Sequence, residues 1–404
     1  MEEGSIVPAS SKLTLDDLST DTALLAEDLG RPLRYVQINS AYGGSTGSIM
    51  HKLHDMLVKS GVDSYEFWGR GHDTVDLHRQ CCSSKMGVYV HATMTRLTDR
   101  TGFYSRFDTK RLLEYLNTID PDIVHLHNLH GYYINIEMLF KWLANHRCQV
   151  RWTLHDCWAF TGHCAYFSAV QCNQWQGHCA SKAPCPQLNT YPRSICKTNC
   201  SNNYADKKKI FTSVSPKRMT LISPSQWLAD LAQRSFFKGY PIMVRYNTID
   251  TNLYKPTPSS FRYDNSIGTR YMVLGVASPW TERKGLLDFI RLANDLSSSG
   301  CAIVLVGLAA NQIRNLPEGI IGLNRTDSSQ ELAAIYTAAD VLFNPTKEDN
   351  YPTVNLEAEA CGTPVISYDT GGCVETLQRE DSCVVQSYED ALSVIAGRCF
   401  SLQP

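Results

Sequence analysis

The sequence predicts an α/β protein made of two doubly wound domains, each built on a parallel sheet. Strand-sized apolar runs alternate with helix-period segments through both halves of the chain, and 404 residues exceed what one hydrophobic core usually organises. Between the halves, Tyr246 to Ser260 is rich in turn formers and has no sustained period. Hydrophobic residues make up 43% and charged residues 19%, a composition that excludes a disordered tail or a fibrous repeat.

The first domain is expected over residues 33–247, after an amino-terminal extension, 1–32. Its opening strand, Leu33 to Ile38, runs into Asn39-Ser-Ala-Tyr-Gly-Gly-Ser-Thr-Gly47, and Ile49, Leu53 and Leu57 then mark one face of a helix that Ser45 or Thr46 can cap. The rhythm returns with a strand at Ile123 to Leu126, a helix carrying Ile136, Leu139, Phe140 and Leu143, and a strand at Val150 to Leu154. Residues 157–205 read as an irregular, cysteine-rich insertion, and 248–262 as the linker. In the second domain, 263–404, strands are expected at Tyr271 to Ala277, Ala302 to Val306, Val341 to Phe343 and Val365 to Tyr368. Helices are expected at Leu286 to Leu296, Gln330 to Ala339 and Thr353 to Ala360. Parallel sheets of this kind bind ligands beyond the carboxyl ends of their strands, which is where His127 and His155 fall.

The segment Glu348-Asp-Asn-Tyr-Pro-Thr-Val-Asn-Leu-Glu-Ala-Glu-Ala-Cys-Gly-Thr-Pro-Val-Ile366 resembles the retaining family 4 glycosyltransferases of the GT-B fold, especially bacterial exopolysaccharide enzymes of the colanic-acid type. The resemblance runs from about residue 33 to about residue 390. It implies two Rossmann-like domains facing across a cleft and a nucleotide-diphosphate sugar as donor substrate. Asp349 and Glu357, with seven residues between them, have the family's acidic spacing, whereas Glu348 stands one residue early. The first acid is therefore Asp349 in register, or Glu348 with a local slip. Glu357 would accept hydrogen bonds from the ribose hydroxyls and Asp349 would hold the donor sugar. Two solvated acids near a helix amino terminus are the plainer alternative. Gly275 to Gly285 resembles the strand, loop and helix that grip the diphosphate, with Lys284 as the charge on the phosphates. Ser278 and Pro279 stand where the family carries an Arg, and Arg283 is the candidate replacement. Gly371 and Gly372 resemble the small loop that approaches the donor; Gly43 and Gly44, with Gly47, form its counterpart in the first domain.

His125-Leu-His127-Asn-Leu-His130 resembles the strand end where the family places a histidine beside the donor sugar. His127 takes that role, His130 a lesser one, and His125 reads as a core residue. His155-Asp156 either lines the acceptor site or forms a structural pair. Asp120-Pro-Asp122 has the spelling of a metal-binding acidic pair, yet it precedes a strand at the far end of the sheet and is rejected as a metal site.

Seven of the fifteen cysteines lie between Cys157 and Cys200. Cys164, Cys172, Cys179 and Cys185 form either a structural zinc site or a set of buried thiols. Lys207, Lys208, Lys209, Lys217 and Arg218 form a basic run, read as a solvated face or as a contact with anionic lipid. With 38 Lys and Arg against 40 Asp and Glu, the net charge of -2 gives no field for nucleic acid. No apolar run is long enough to span a membrane, and the acidic amino terminus lacks a secretory signal, so the expected location is cytoplasmic, with peripheral contact at the inner membrane face. The resulting expectation is a retaining hexosyltransferase, needing no cofactor, that acts on a glycan or lipid-diphosphate-linked acceptor. A sugar-nucleotide epimerase of the same plan and a catalytically silent glycan-binding subunit are the rivals.

Overall fold

The computed structural model describes residues 12–27, 31–297 and 299–401. The first eleven residues of the expected extension, like 28–30, lie outside that set. Two compact units meet in the chain at Asn247 and Thr248.

The first unit runs α1 (Asp17–Glu27), β1 (Arg34–Asn39), α2 (Gly44–Lys59), β2 (Asp63–Trp68), β3 (Arg79–Cys81), α3 (Lys85–Thr98), α4 (Arg106–Ile119), β4 (Ile123–Leu126), α5 (Ile136–Asn145), β5 (Gln149–Thr153), α6 (Cys200–Phe211), β6 (Met219–Ser223), α7 (Gln226–Arg234) and β7 (Ile242–Val244). Its seven strands are all parallel in the order β3-β2-β1-β4-β5-β6-β7. The second unit runs α8 (Phe261–Asp264), β8 (Met272–Val276), α9 (Leu286–Asp295), β9 (Ala302–Val306), α10 (Ala310–Arg314), β10 (Ile320–Leu323), α11 (Ser329–Ala338), β11 (Val341–Asn344), α12 (Thr353–Ala360), β12 (Val365–Tyr368), β13 (Cys383–Val385) and α13 (Tyr388–Ser401). Its six parallel strands are ordered β10-β9-β8-β11-β12-β13. Each sheet winds outward both ways from its first strand, so the direction of winding reverses between β1 and β4 and between β8 and β11. Crossover connections diverge at those two points and leave room for a ligand at the carboxyl ends.

The central strands are buried on both faces, which is why Val341 to Phe343 and Ala302 to Val306 read as unbroken apolar runs. The strands that sequence patterning passed over are short or mixed. β2 carries the fully buried Glu66, held 2.9 Å from His51 Nδ1, and β13 is three residues long at a sheet edge.

Four expectations change. The residues expected as an extension supply α1 and the turn before it; Leu15 of that turn and Leu18 of α1 pack with Leu33, Leu53 and Leu57, while Thr14 bridges to Tyr246. Gly43, not Ser45 or Thr46, caps α2, because Thr46 instead receives a hydrogen bond from Asn39 Nδ2 at 3.3 Å; no side chain caps this helix start. The expected linker packs onto the second unit, where Thr257 N bonds Thr337 Oγ1 at 3.1 Å and the Tyr254 ring lies 6.3 Å from that of Tyr336. The insertion gives way to α6 at Cys200, before residue 205.

Three short 3-10 turns, at Trp158–Phe160, Ser168–Val170 and Gln174–Gln176, are all the regular structure between β5 and α6. A layer of rings holds this segment to the first core: Trp175 lies 5.3 Å from Phe160 and 5.0 Å from Phe167, and all three are buried. Trp175→Ala is expected to cost about 3–5 kcal/mol of stability. Hydrogen exchange should accelerate through the insertion and α6, with amides of β8 and β11 unchanged; uniform acceleration in both units would contradict a local role for the ring layer.

Candidate active site

In the first unit, the carboxyl ends of β1, β2, β4 and β5 gather the expected residues. Gly44 adopts φ +79°, and a Cβ on Gly47 would lie 1.9 Å from the Tyr42 carbonyl oxygen, so the loop between β1 and α2 needs both glycines. His125 satisfies both ring nitrogens, with Tyr35 OH at 2.8 Å and Thr153 Oγ1 at 2.7 Å, as a core histidine should. His127 is also fully buried: Nδ1 meets His155 Nε2 at 3.1 Å, Nε2 meets Gln37 Oε1 at 3.2 Å, and its carbonyl accepts from Trp152 Nε1. Its ring stacks between those of His125 and His155, at 4.4 and 5.3 Å.

His130 lies nearer the surface. Its Nε2 pairs with Asp156 Oδ2 at 2.8 Å and its Nδ1 meets Tyr191 OH at 2.9 Å, while Asp156 Oδ1 also accepts from the Trp158 amide at 2.9 Å. Burial pushes the Asp156 carboxyl up, but the charge and hydrogen bond of His130 outweigh it and hold the group below its ordinary range. Tyr191, contributed by the insertion, and Asp156 as the partner of His130 were not singled out from sequence for these contacts. They are distant in the chain, and no spacing rule joins them.

In the second unit the loops after β8, β11 and β12 converge. Lys284 Nζ is ion-paired with Asp349 Oδ2, and Arg283 donates to the Glu348 carbonyl, so Arg283 is tied to the acidic loop and does not face solvent alone. Asp349 Oδ1 accepts from the Asn350 amide at 2.8 Å. Burial raises the Asp349 carboxyl, and Lys284 and Arg283 more than offset this, leaving it ionised below its ordinary range. Glu348 is fully buried, whereas the Asp349 side chain keeps 16% exposure beside Lys284. Of the two acids, Asp349 is thus the one presented with the cation.

Gly371 is locked onto the same loop. It adopts φ +60°, a Cβ there would lie 1.9 Å from the Asp349 carbonyl oxygen, and the Gly372 amide donates to that oxygen at 3.0 Å. Gly285, at φ +78°, brings the turn before α9 against Pro345 in the same way. Glu357, on α12, accepts from Tyr336 OH at 2.9 Å, and burial raises its carboxyl above the ordinary range. Tyr336 carried no signal in the sequence beyond its place in a helix.

The cysteines group differently from the set read in the sequence. No group of three or more His, Cys, Asp or Glu among the described residues is arranged to hold a metal ion. The sulfur cluster is instead Cys164, Cys179, Cys185 and Cys200: Cys185 shares hydrogen bonds with Cys164 and Cys200, and Cys200 with Cys179. Cys172 is half-buried at the edge of this cavity and takes no part in the hydrogen bonds. The basic run also shrinks. Lys207 is buried, donating to the Trp158 carbonyl with Nζ 3.7 Å from the ring centroid, and Arg218 is spent on the carbonyls of Leu143, Ala144, His146 and Cys148. Asp120 and Asp122 sit at the amino end of β4, paired with Arg31, Arg34 and Arg147.

The buried imidazoles give a pH signature. Burial holds His125 and His127 well below 6.5, with Arg151 adding to the effect at His125, and takes His155 down to about 4. The folded chain therefore refuses protons that the unfolded chain accepts below about pH 6.5, so stability falls as pH drops from there, by up to ~1.4 kcal/mol per pH unit for each histidine. His51, shifted upward overall despite its burial because Glu66 hydrogen-bonds it, opposes this for one group. Urea midpoints are expected to be lower at pH 5.5 than at pH 7.5 with unchanged slope; equal midpoints would refute a neutral imidazole layer. Gly371→Ala is expected to lower stability by at least about 1–2 kcal/mol through its positive φ alone, read as a lower melting temperature.

Residues 270–397 match the family model described as Glycosyl transferases group 1. Over 89% of this chain and 88% of the relative, the sequence is 24% identical to the putative colanic acid biosynthesis glycosyl transferase WcaC of Escherichia coli strain K12. Among solved structures, sucrose-phosphate synthase from Thermosynechococcus elongatus superposes with a TM-score of 0.64 at 14% identity, covering 91% of this chain and 90% of that one. HepE from Anabaena, solved in complex with UDP, superposes with a TM-score of 0.56 at 14% identity, with 91% and 90% covered. The structural neighbours establish the fold, and the family match covers the unit that holds Lys284, Asp349, Glu357 and Gly371. The chain is a glycosyltransferase with the GT-B fold, and residues 270–397 carry its similarity to the group 1 family.

Proposed function

We propose that the chain transfers a hexosyl group from a nucleoside-diphosphate sugar to a hydroxyl of a growing, lipid-linked glycan, with retention of anomeric configuration, in exopolysaccharide or cell-surface polysaccharide synthesis. The observation that carries this reading is the pairing of Lys284 with Asp349 at the carboxyl-end opening of the second sheet, beside the Gly371-Gly372 turn and above Glu357. Nucleoside diphosphates have a ribose, two phosphates and a sugar, and these residues offer one group for each. Glu357 accepts from the ribose hydroxyls, with Tyr336 fixing the other side of its carboxylate. Lys284 turns to the phosphates and Asp349, released from it, accepts from hydroxyls of the donor sugar. Charge that builds on the departing diphosphate is met by Lys284 and Arg283 and by the amides that begin α9. His127 and the His130–Asp156 pair are the first unit's contribution to placing the reacting sugars, with Gly43 and Gly44 letting backbone approach them. The likeness to the colanic acid enzyme supports a polysaccharide product, and the HepE complex supports a nucleoside diphosphate as ligand.

Lys284→Ala and Glu357→Ala are each expected to weaken transition-state binding by about 2–4 kcal/mol. Calorimetric titration of nucleoside diphosphates and a donor screen with mass spectrometry of the released nucleotide check this. Unchanged affinity in both variants would overturn the site. Accumulation of an isomerised sugar from donor alone, without acceptor, would favour the epimerase.

A further inference from the structure

On the outward side of α3, Met86, Tyr89, Val90 and Leu97 recur at helical spacing and all stand in solvent, Met86 at 72% and Tyr89 at 70% exposure. A soluble helix normally turns such a stripe inward. Here the inward face is already taken by His91 and Thr95, both fully buried. Two more exposed apolar side chains adjoin the stripe. Ile195 is hydrogen-bonded through its amide to the Arg96 carbonyl at 2.9 Å, and Phe107 opens α4 next to Asp108, which packs against Gly87 in the first turn of α3.

The exposed charge along residues 82–113 has one sign, and Glu114 follows as the first exposed acid. Between Cys82 and Leu113 the only acids are Asp99 and Asp108, and both are buried. Lys85, Arg96, Arg106, Lys110 and Arg111 of the same stretch are exposed. A second protein or a second copy of this chain would need a matching acidic rim. An apolar strip bordered by this excess of exposed cations fits the boundary between acyl chains and anionic headgroups, where the apolar side chains insert and the bases meet phosphate. No helix among the described residues is long and apolar enough to cross a membrane, so contact would be lateral.

We infer that the outer face of α3, with Ile195 and Phe107, docks the chain on an anionic lipid bilayer. The same helix connects that surface to the first unit's candidate site. His91 on its inner face has its ring 5.9 Å from Tyr132, whose ring lies 6.0 Å from Tyr191, the partner of His130. An acceptor carried on a lipid therefore arrives at the face nearest the residues assigned to it. This deepens the lipid-linked reading of the acceptor and rests on it only for its purpose, because docking is measured without any transfer reaction. It also moves the membrane contact away from the basic run at 207–218, of which Lys208, Lys209 and Lys217 remain exposed.

Co-sedimentation of the full chain with vesicles of phosphatidylcholine alone and of phosphatidylcholine mixed with phosphatidylglycerol tests the inference. The chain is expected to pellet with the anionic vesicles and to stay in solution with the neutral ones. Val90→Glu with Leu97→Glu, both at exposed positions, should lower the bound fraction by about tenfold or more, with the melting temperature and nucleoside-diphosphate binding unchanged. Lys85→Glu with Arg96→Glu should remove the preference for anionic lipid. Absence of pelleting, or pelleting retained by Val90→Glu/Leu97→Glu and lost in Lys208→Glu/Lys209→Glu/Lys217→Glu, would overturn it. A dimer in solution that Val90→Glu/Leu97→Glu dissociates, with no vesicle binding by the parent chain, would assign the face to a second copy and overturn it as well.

Discussion

A parallel sheet with right-handed crossovers that winds outward in both directions from its first strand must open at one place, and the chemistry of this chain depends on that constraint. In each unit the opening lies at the carboxyl ends of two adjacent strands, β1 and β4 in one, β8 and β11 in the other. Every loop that carries a candidate group leaves the sheet there or one strand away. The glycines follow from the same geometry. Where three loops are forced to share one rim, backbone has to touch backbone, and the Gly371 approach to the Asp349 carbonyl leaves no space for a Cβ.

The two openings are electrostatically different. The second unit keeps its ionised groups, Lys284 and Asp349, paired and partly exposed, so each charge has a partner before any ligand is present. The pair holds both charges in place at the opening, where an anionic ligand group can exchange with Asp349 as the partner of Lys284. The first unit has built its opening from neutral groups. His125, His127 and His155 stack beneath the rim with burial holding them uncharged, and only the His130–Asp156 pair brings an ionised group near the surface. A rim of neutral hydrogen-bonding groups suits hydroxyl-rich, uncharged ligands better than phosphates, which need cations.

Much of this was legible in the sequence because it is local. The alternation of buried strands and amphipathic helices and the string from Glu348 to Ile366 are both short-range patterns. The legible part stops where residues far apart in the chain meet. Glu357 is held by Tyr336 from another helix, and His130 by Asp156 and by Tyr191 from an insertion with almost no regular structure. Sequence spacing also could not choose among seven neighbouring cysteines: the fold leaves Cys172 aside and recruits Cys200, which opens α6. A run of five positive charges looked like a surface until packing placed Lys207 in the core and bound Arg218 to four carbonyls.

Lys207 shows what the insertion requires of its surroundings. A lysine ammonium loses several kcal/mol of hydration on burial unless something negative replaces the water. Here burial takes its pKa down to about 7, and the remaining support comes from the Trp158 carbonyl, the Trp158 ring face, and the sulfurs of Cys179, Cys164 and Cys200 with Asp156. The same sulfur cluster pulls the Cys185 thiol below its ordinary range through hydrogen bonds from Cys164 and Cys200. Lys207 on α6 and Cys179 of the insertion each favour the charged form of the other, and Cys179 lies below its ordinary range, chiefly through its hydrogen bond with Cys200. Because Asp156 takes part in both this network and the His130 pair, the insertion is coupled electrostatically to the candidate site as well as joined to it in sequence. Its irregular backbone is held by rings on one side and by this charge balance on the other, which explains how a segment with three short turns keeps Tyr191 in register with His130.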